Sequence, residues 1–321
     1  MADSPRPPFD RELSETLASL TDEVPPTFTP DMIEPSRSAS ATPQVGELLA
    51  LQAGVSHREL KVLGYDGAEL LVSVFAAEPR PGAGPGFFYV HGGGMVTGDR
   101  FVGVDLMLDW VALFGGVCVS VEHRLAPEFP DPYPVEDCYA ALLWTAEHGA
   151  ELGIDPERLV IVGRSSGGGL AAGTALLARD RTGPRLAGQV LLSPMIDDRN
   201  DTVSSHQFDG VGVWDRTSND TGWDALLGQR RGTGHVGIYA APARATDLSR
   251  LAPAFVDVGS AEVFRDEAVA YATRMWAGGG VAELHVWPGG FHGYDIMAPN
   301  ALLSQATRAS RTAWVRRLLE H

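Results

Sequence analysis

The chain has 321 residues, of which 44 % are apolar, so it holds enough material for one large α/β domain with a small insertion and is not a disordered chain. Its net charge of −16 opposes a phosphate backbone, which argues against a nucleic-acid partner. Lys61 is the only lysine and lies in a strand-like run, so neither a P-loop nor a Schiff-base enzyme fits. Cys118 and Cys138 both fall in apolar segments and read as buried free thiols, with no zinc pattern and no disulfide framework. The N-terminus lacks the apolar core of a signal peptide, and no run approaches the length of a membrane span. A reduced, cytoplasmic setting is expected by default.

In chain order, residues 9–53 read as polar helices broken by Pro and Ser, with Thr42-Pro43 marking a helix start. Residues 57–62 and 69–75 alternate like a half-buried antiparallel pair. A different rhythm follows: strand 86–90, helix 101–114, strand 117–121, helix 134–152, strand 159–162, helix 166–178, strand 189–192. Short apolar strands alternating with helices predict a mostly parallel sheet covered on both faces. Residues 195–248 interrupt it, too long for a plain loop, and read as an insertion over the sheet edge. The rhythm then resumes with strand 254–258, helix 263–277, strand 281–287 and helix 300–319. The expected organisation is an N-terminal helical segment (1–54), a catalytic domain (55–194 and 249–321) and a cap insertion (195–248).

Gly163-Arg164-Ser165-Ser166-Gly167 has the G-x-S-x-G form of a nucleophile elbow and joins a strand to a helix. The serine at such a turn takes a strained backbone, small neighbours avoid clashes, and the helix N-terminus favours developing negative charge. Ser166 lacks a glycine two residues before it, so Ser165 is the expected nucleophile. Upstream, strand 86–90 runs into His91-Gly92-Gly93-Gly94. The amides of Gly93, Gly94 and Ser166 are the expected oxyanion hole. His91, at the strand end, is read as a loop-holding residue. The dinucleotide-loop alternative fails, because no G-x-G-x-x-G opens a helix here.

Of nine histidines, only His292 follows the last strand, in a Gly-rich loop where ligands of an open parallel sheet bind, and it is the expected general base. The preceding strand and helix offer Asp257, Glu262, Asp266 and Glu267. Asp257 lies within the strand, and Asp266 and Glu267 read as first-turn helix residues. Glu262, in the loop between them, is the expected partner of His292.

Together these segments resemble the bacterial hormone-sensitive-lipase family (family IV esterases) of α/β-hydrolases. The resemblance rests on His91-Gly-Gly-Gly through Asp99, Glu122-His-Arg-Leu-Ala-Pro-Glu128, Arg265-Asp266-Glu267 and Phe291-His292-Gly293. It implies an eight-stranded sheet, a cap and esterase activity without a cofactor. The chain departs from the family pattern at Arg164, usually Asp, Glu or Thr, and at Ser166, usually Ala. It departs again at His123, usually Tyr, and at Glu262, usually Asp.

The functional expectation is a Ser165–His292–Glu262 carboxylesterase acting through an acyl-enzyme on a small-molecule ester. Two alternatives stay open: lactone hydrolysis or cyclase/lyase chemistry on the same fold, and a non-catalytic small-molecule receptor. Phe208, Trp214, Trp223 and Tyr294 are candidates for an apolar substrate pocket, with the core of the cap as the competing role. Asp197-Asp198-Arg-Asn200-Asp201 lacks the glycine and distal Glu of a calcium loop, so no metal is expected. No membrane partner is expected, and a homodimer stays open. The polar composition of 195–248 predicts compact soluble esters over emulsified long chains.

Overall fold

A computed structural model describes residues 5–20, 24–39, 45–50, 52–80 and 82–320. Helices α1 (Arg11–Leu20), α2 (Ile33–Ser38) and α3 (Val45–Ala50) come first; the expected helix start at Thr42-Pro43 lies outside the described residues. Then follow β1 (Val55–Leu63), β2 (Glu69–Ala77), β3 (Gly84–Val90), α4 (Asp105–Phe114), β4 (Val117–Val121), α5 (Tyr133–Glu147) and α6 (Gly149–Leu152). The central part is β5 (Ile154–Arg164), α7 (Ser166–Asp180) and β6 (Gly188–Leu192), and α8 (Val203–Gln207) and α9 (Arg216–Leu227) follow before the next strand. The chain closes with β7 (Ala254–Gly259), α10 (Arg265–Ala277), β8 (Ala282–Trp287), α11 (Tyr294–Met297) and α12 (Leu302–Leu319).

The eight strands form one sheet in the order β1-β2-β4-β3-β5-β6-β7-β8. β1 and β2 pair antiparallel, β2 meets β4 antiparallel, and every later pairing is parallel. Period-two alternation sorts the central strands between two cores. Phe87, Tyr89, Val160 and Val162 face Trp110 of α4 and Val315 of α12. Phe88, Val90 and Ile161 face Leu142 of α5, Leu176 of α7 and Ala272 of α10. Because both faces are covered, loops leaving the carboxyl ends of the strands can converge along that rim.

Element boundaries differ from expectation where polar residues hide structure or turns mimic it. β5 starts at Ile154 rather than 159, since its first half carries the exposed Pro156 and Glu157 and shows no apolar run. The expected helix 134–152 is two helices broken at His148. The expected starts at 101, 263 and 300 fall in turns, with helices beginning at Asp105, Arg265 and Leu302.

Residues 24–39 and the segment between β6 and β7 pack as one layer. Phe28 stacks on Trp214 with ring centroids 5.8 Å apart. The Phe28 amide donates to Ser218 Oγ at 2.7 Å, and Thr221 Oγ1 donates to the Phe28 carbonyl at 2.9 Å. The acidic turn that opens the segment is tied internally: Asp197 accepts from Arg199 at 2.7 Å, Asp198 from Arg244 at 2.8 Å and Asp220 from Asn200 at 2.7 Å. Among the described residues there is no cluster of three metal-ligating side chains, and no helix is long and apolar enough to cross a membrane.

Asp215 ties this layer together. Its carboxylate accepts from the Ser218 amide (2.7 Å), capping α9, from the Gly210 amide (2.8 Å) and from Thr27 Oγ1 (2.6 Å). Asp215→Ala leaves these donors without their acceptor and is expected to cost about 2–3 kcal/mol in urea unfolding. An unchanged midpoint would contradict this role for Asp215.

Candidate active site

β5 ends at Arg164 and α7 begins at Ser166, so a single residue makes the turn. Ser165 makes it at φ 56°, ψ −125°, a conformation that few L-residues adopt. Glycine is required around it for space. A β-carbon on Gly163 would collide with the Gly167 carbonyl, and one on Gly167 with the carbonyls of Val90 and His91.

The loop after β8 brings His292 Nε2 to 2.9 Å from Ser165 Oγ. On the ring's other side, Nδ1 lies 3.3 Å from Glu262 Oε2. A carboxylate accepts, so the proton sits on Nδ1, leaving Nε2 to accept from the serine hydroxyl. Ser193 Oγ donates to the same Glu262 oxygen at 3.3 Å, and Glu262 is buried.

The four carboxylates around β7 and α10 are sorted by their partners. Asp257 pairs with Arg311 at 2.7 Å. Asp266 takes Arg265 and the Ser204 amide, both at 2.7 Å. Glu267 Oε1 accepts from the Ile196 amide at 2.7 Å, and burial pushes this carboxyl well above the usual range. Glu262 is the one that reaches His292.

The glycine loop after β3 lies against the elbow: a β-carbon on Gly92 would sit 3.2 Å from Ser165 Cβ. Gly93 and Gly94 have φ 126° and 63°. Turn bonds from the Val96 and Thr97 amides to the Gly93 carbonyl, at 3.1 and 2.9 Å, fix the loop. His91 Nδ1 donates to the Gly92 carbonyl at 2.8 Å, and its ring stacks on His123 at 4.2 Å. Burial, reinforced by His91, pushes His123 down to about 3; burial also lowers His91. Both rings are therefore neutral at physiological pH and serve as flat packing under the loop.

Arg164 finds a counter-ion. Its two terminal nitrogens donate to the two oxygens of Asp295 at 2.7 Å each, and both side chains are buried. Burial opposes both charges, but the attraction prevails: Arg164 is held above its usual range and Asp295 below the usual carboxylate range.

The aromatic pocket candidates separate. Phe208, Trp223 and Tyr294 are buried in the packing, and the Tyr294 hydroxyl bonds to Thr307. Phe208 and Trp223 join the main core and Tyr294 a smaller one, which matches the competing core role for these three rings. Trp214 is half-buried, and its ring lies where a Gly94 side chain would point. Sequence reasoning missed Ser193 and Phe28. The Ser193-Pro194 break at the end of a strand was a signal for the first, and nothing in the pattern marked the second.

The family model for the alpha/beta hydrolase fold matches residues 87–296. The carboxylesterase NlhH of Mycobacterium tuberculosis is 32 % identical over 287 residues, covering 88 % of this chain and 89 % of its own. Among solved structures, a bacterial heroin esterase superposes with a TM-score of 0.90 at 37 % identity, covering 97 % of this chain and 98 % of its own. The esterase LipW from Mycobacterium marinum superposes at 0.87 and 28 % identity, covering 98 % of each chain. The chain belongs to the α/β-hydrolase family. Within it, this is a carboxylesterase of the hormone-sensitive-lipase group, a serine ester hydrolase.

Two outcomes follow from this geometry. Gly94→Ala places a methyl group against Trp214 at a left-handed position, so the loop must shift; esterase kcat should fall by about 100-fold or more with the fold retained by circular dichroism. Wild-type kcat would contradict this placement of the glycine loop. Asp295, held below its unfolded value near 4, contributes stability above that pH and loses it as pH falls further. Asp295→Asn should therefore lower stability at pH 7 and flatten the loss between about pH 4 and 2, read from urea midpoints against pH.

Proposed function

We propose that Ser165 attacks the ester carbonyl while His292 takes its proton and returns it to the leaving alcohol, with Glu262 holding the imidazole. The amides of Gly93, Gly94 and Ser166 receive the oxyanion, and water then releases the acyl group from Ser165. The observation that carries this reading is the 2.9 Å approach of His292 Nε2 to Ser165 Oγ, with Glu262 on the far nitrogen.

Residues 195–248, with the N-terminal segment, act as a lid over the site. Support comes from Trp214, which lies on Gly94, and from Gly222 of α9, which packs against the Gly94 carbonyl. The tight fit of an indole on the oxyanion loop favours small, compact acyl groups. The insertion's charged residues pair with one another instead of framing an apolar face for an oil surface. The substrates are short or compact soluble esters, and the enzyme gains nothing at a lipid interface.

Rates on nitrophenyl esters from acetate to palmitate, with a triolein emulsion, test the substrate reading. Activity should peak at short acyl chains and stay flat at the emulsion; a steep rise at the interface with long chains preferred would contradict it. Ser165→Ala should lose at least about 10⁴-fold in kcat, and Glu262→Gln about 10²- to 10⁴-fold. Near-wild-type turnover in Ser165→Ala would overturn the triad.

A further inference from the structure

Arg164 and Asp295 form part of a buried lattice that joins the ends of β5, β7 and β8 to α11 and α12. Asp295 also bonds to Arg311 of α12. Arg311 Nε donates to Asp257 Oδ2 at 2.7 Å, and a terminal nitrogen donates to Oδ1 at 3.2 Å. Trp287 Nε1 at the end of β8 donates to Asp257 as well, at 3.3 Å. Two arginines and two aspartates balance in charge, and all four side chains are at most 9 % exposed.

The positions of these residues in the chain give the lattice its meaning. Arg164 immediately precedes Ser165. Asp295 follows His292 by three residues, and Asp257 precedes Glu262 by five. The His292 loop has other ties. Upstream, the Gly289 carbonyl accepts from the Asp10 amide at 3.0 Å, and the Gly290 carbonyl from the Ala261 amide at 3.1 Å. Downstream, Tyr294 bonds to Thr307 on α12. Of these ties, the Arg164–Asp295 fork is the one that leads straight from the histidine loop to the nucleophile strand. Two parallel N–H···O bonds fix both distance and plane, which a single contact between apolar side chains does not.

We propose that Arg164 and Asp295 are positioning residues, whose fork sets the separation of His292 from Ser165. This rests on the Ser165–His292–Glu262 triad. A buried ion pair contributes little net stability compared with apolar groups of similar volume, whereas a displacement of about 1 Å at reacting atoms costs up to roughly 100-fold in rate. The fork therefore acts on kcat more than on folding. It also accounts for the cation at a position where the family usually carries Asp, Glu or Thr: here the tie crosses from β5 to α11 and needs a donor fork.

The test compares wild type, Arg164→Met, Arg164→Lys, the double variant Arg164→Met/Asp295→Leu and Ser165→Ala on nitrophenyl acetate, with Tm measured for each. The single Met variant leaves Asp295 with Arg311 alone and the buried lattice with one negative charge in excess, and should lower both Tm and kcat. The double variant removes both charges and should recover a Tm near wild type while kcat stays about 10- to 100-fold down with KM unchanged. Arg164→Lys keeps the charge but loses the fork, and should fold with a several-fold lower kcat. Recovery of kcat together with Tm in the double variant would overturn the proposal. If the double variant fails to fold, Arg164→Lys decides: a lowered kcat at wild-type KM supports positioning, and wild-type kcat overturns it. Activity surviving in Ser165→Ala would instead indict the triad itself.

Discussion

At Ser165 the chain leaves β5 and enters α7 in one residue, and it can do so only with a backbone that costs about 1–3 kcal/mol. The surroundings hold that strain in place. The Ser165 amide donates to the Leu192 carbonyl at 2.8 Å, which ties the turn to β6. Its carbonyl accepts from the amides of Gly168, Gly169 and Met195 at 2.9–3.1 Å. Glycines at 163 and 167 let neighbouring carbonyls approach where any side chain would collide. The hydroxyl is consequently aimed outward at the carboxyl rim of the sheet, and the loops after β3, β7 and β8 are built to meet it there.

Meeting it is a problem of sorting charge. Four carboxylates lie between residues 257 and 267, and any could compete for the imidazole. Asp257 and Asp266 are taken by arginines, and Glu267 by backbone amides of the segment leaving β6. Glu262 keeps a weaker set, Ser193 and His292, both at 3.3 Å. On the other side of the elbow, two neutral stacked histidines support the glycine loop without adding charge beside it.

Much of this was readable from sequence because local rules and global fold agree. Gly163-x-Ser165-x-Gly167 at a strand end, three glycines after another strand, and a glycine-flanked His292 after the last strand each mark a rim position. The alternating strands also marked both faces of the sheet. What escaped was non-local. No pattern could tell that Asp295, 131 residues from Arg164, is its partner. The start of β5 was hidden by Pro156 and Glu157, because a strand emerging at a surface need not look apolar. For Phe208, Trp223 and Tyr294 the sequence left pocket and core open, because a large ring serves either; in the structure all three are buried. Trp214 differs from them through the company it keeps, with Phe28 on one side and Gly94 on the other.

The proposed mechanism requires Ser165 to be the group that carries the acyl chain. Ser166, next in sequence and also buried at the start of α7, is the competing hydroxyl. Reaction of the intact enzyme with a fluorophosphonate, followed by mass spectrometric mapping of the adduct, separates the two. A single stoichiometric adduct on Ser165 is expected, blocked by prior incubation with a short ester. An adduct on Ser166, or an enzyme that hydrolyses esters while remaining unlabelled, would contradict the mechanism.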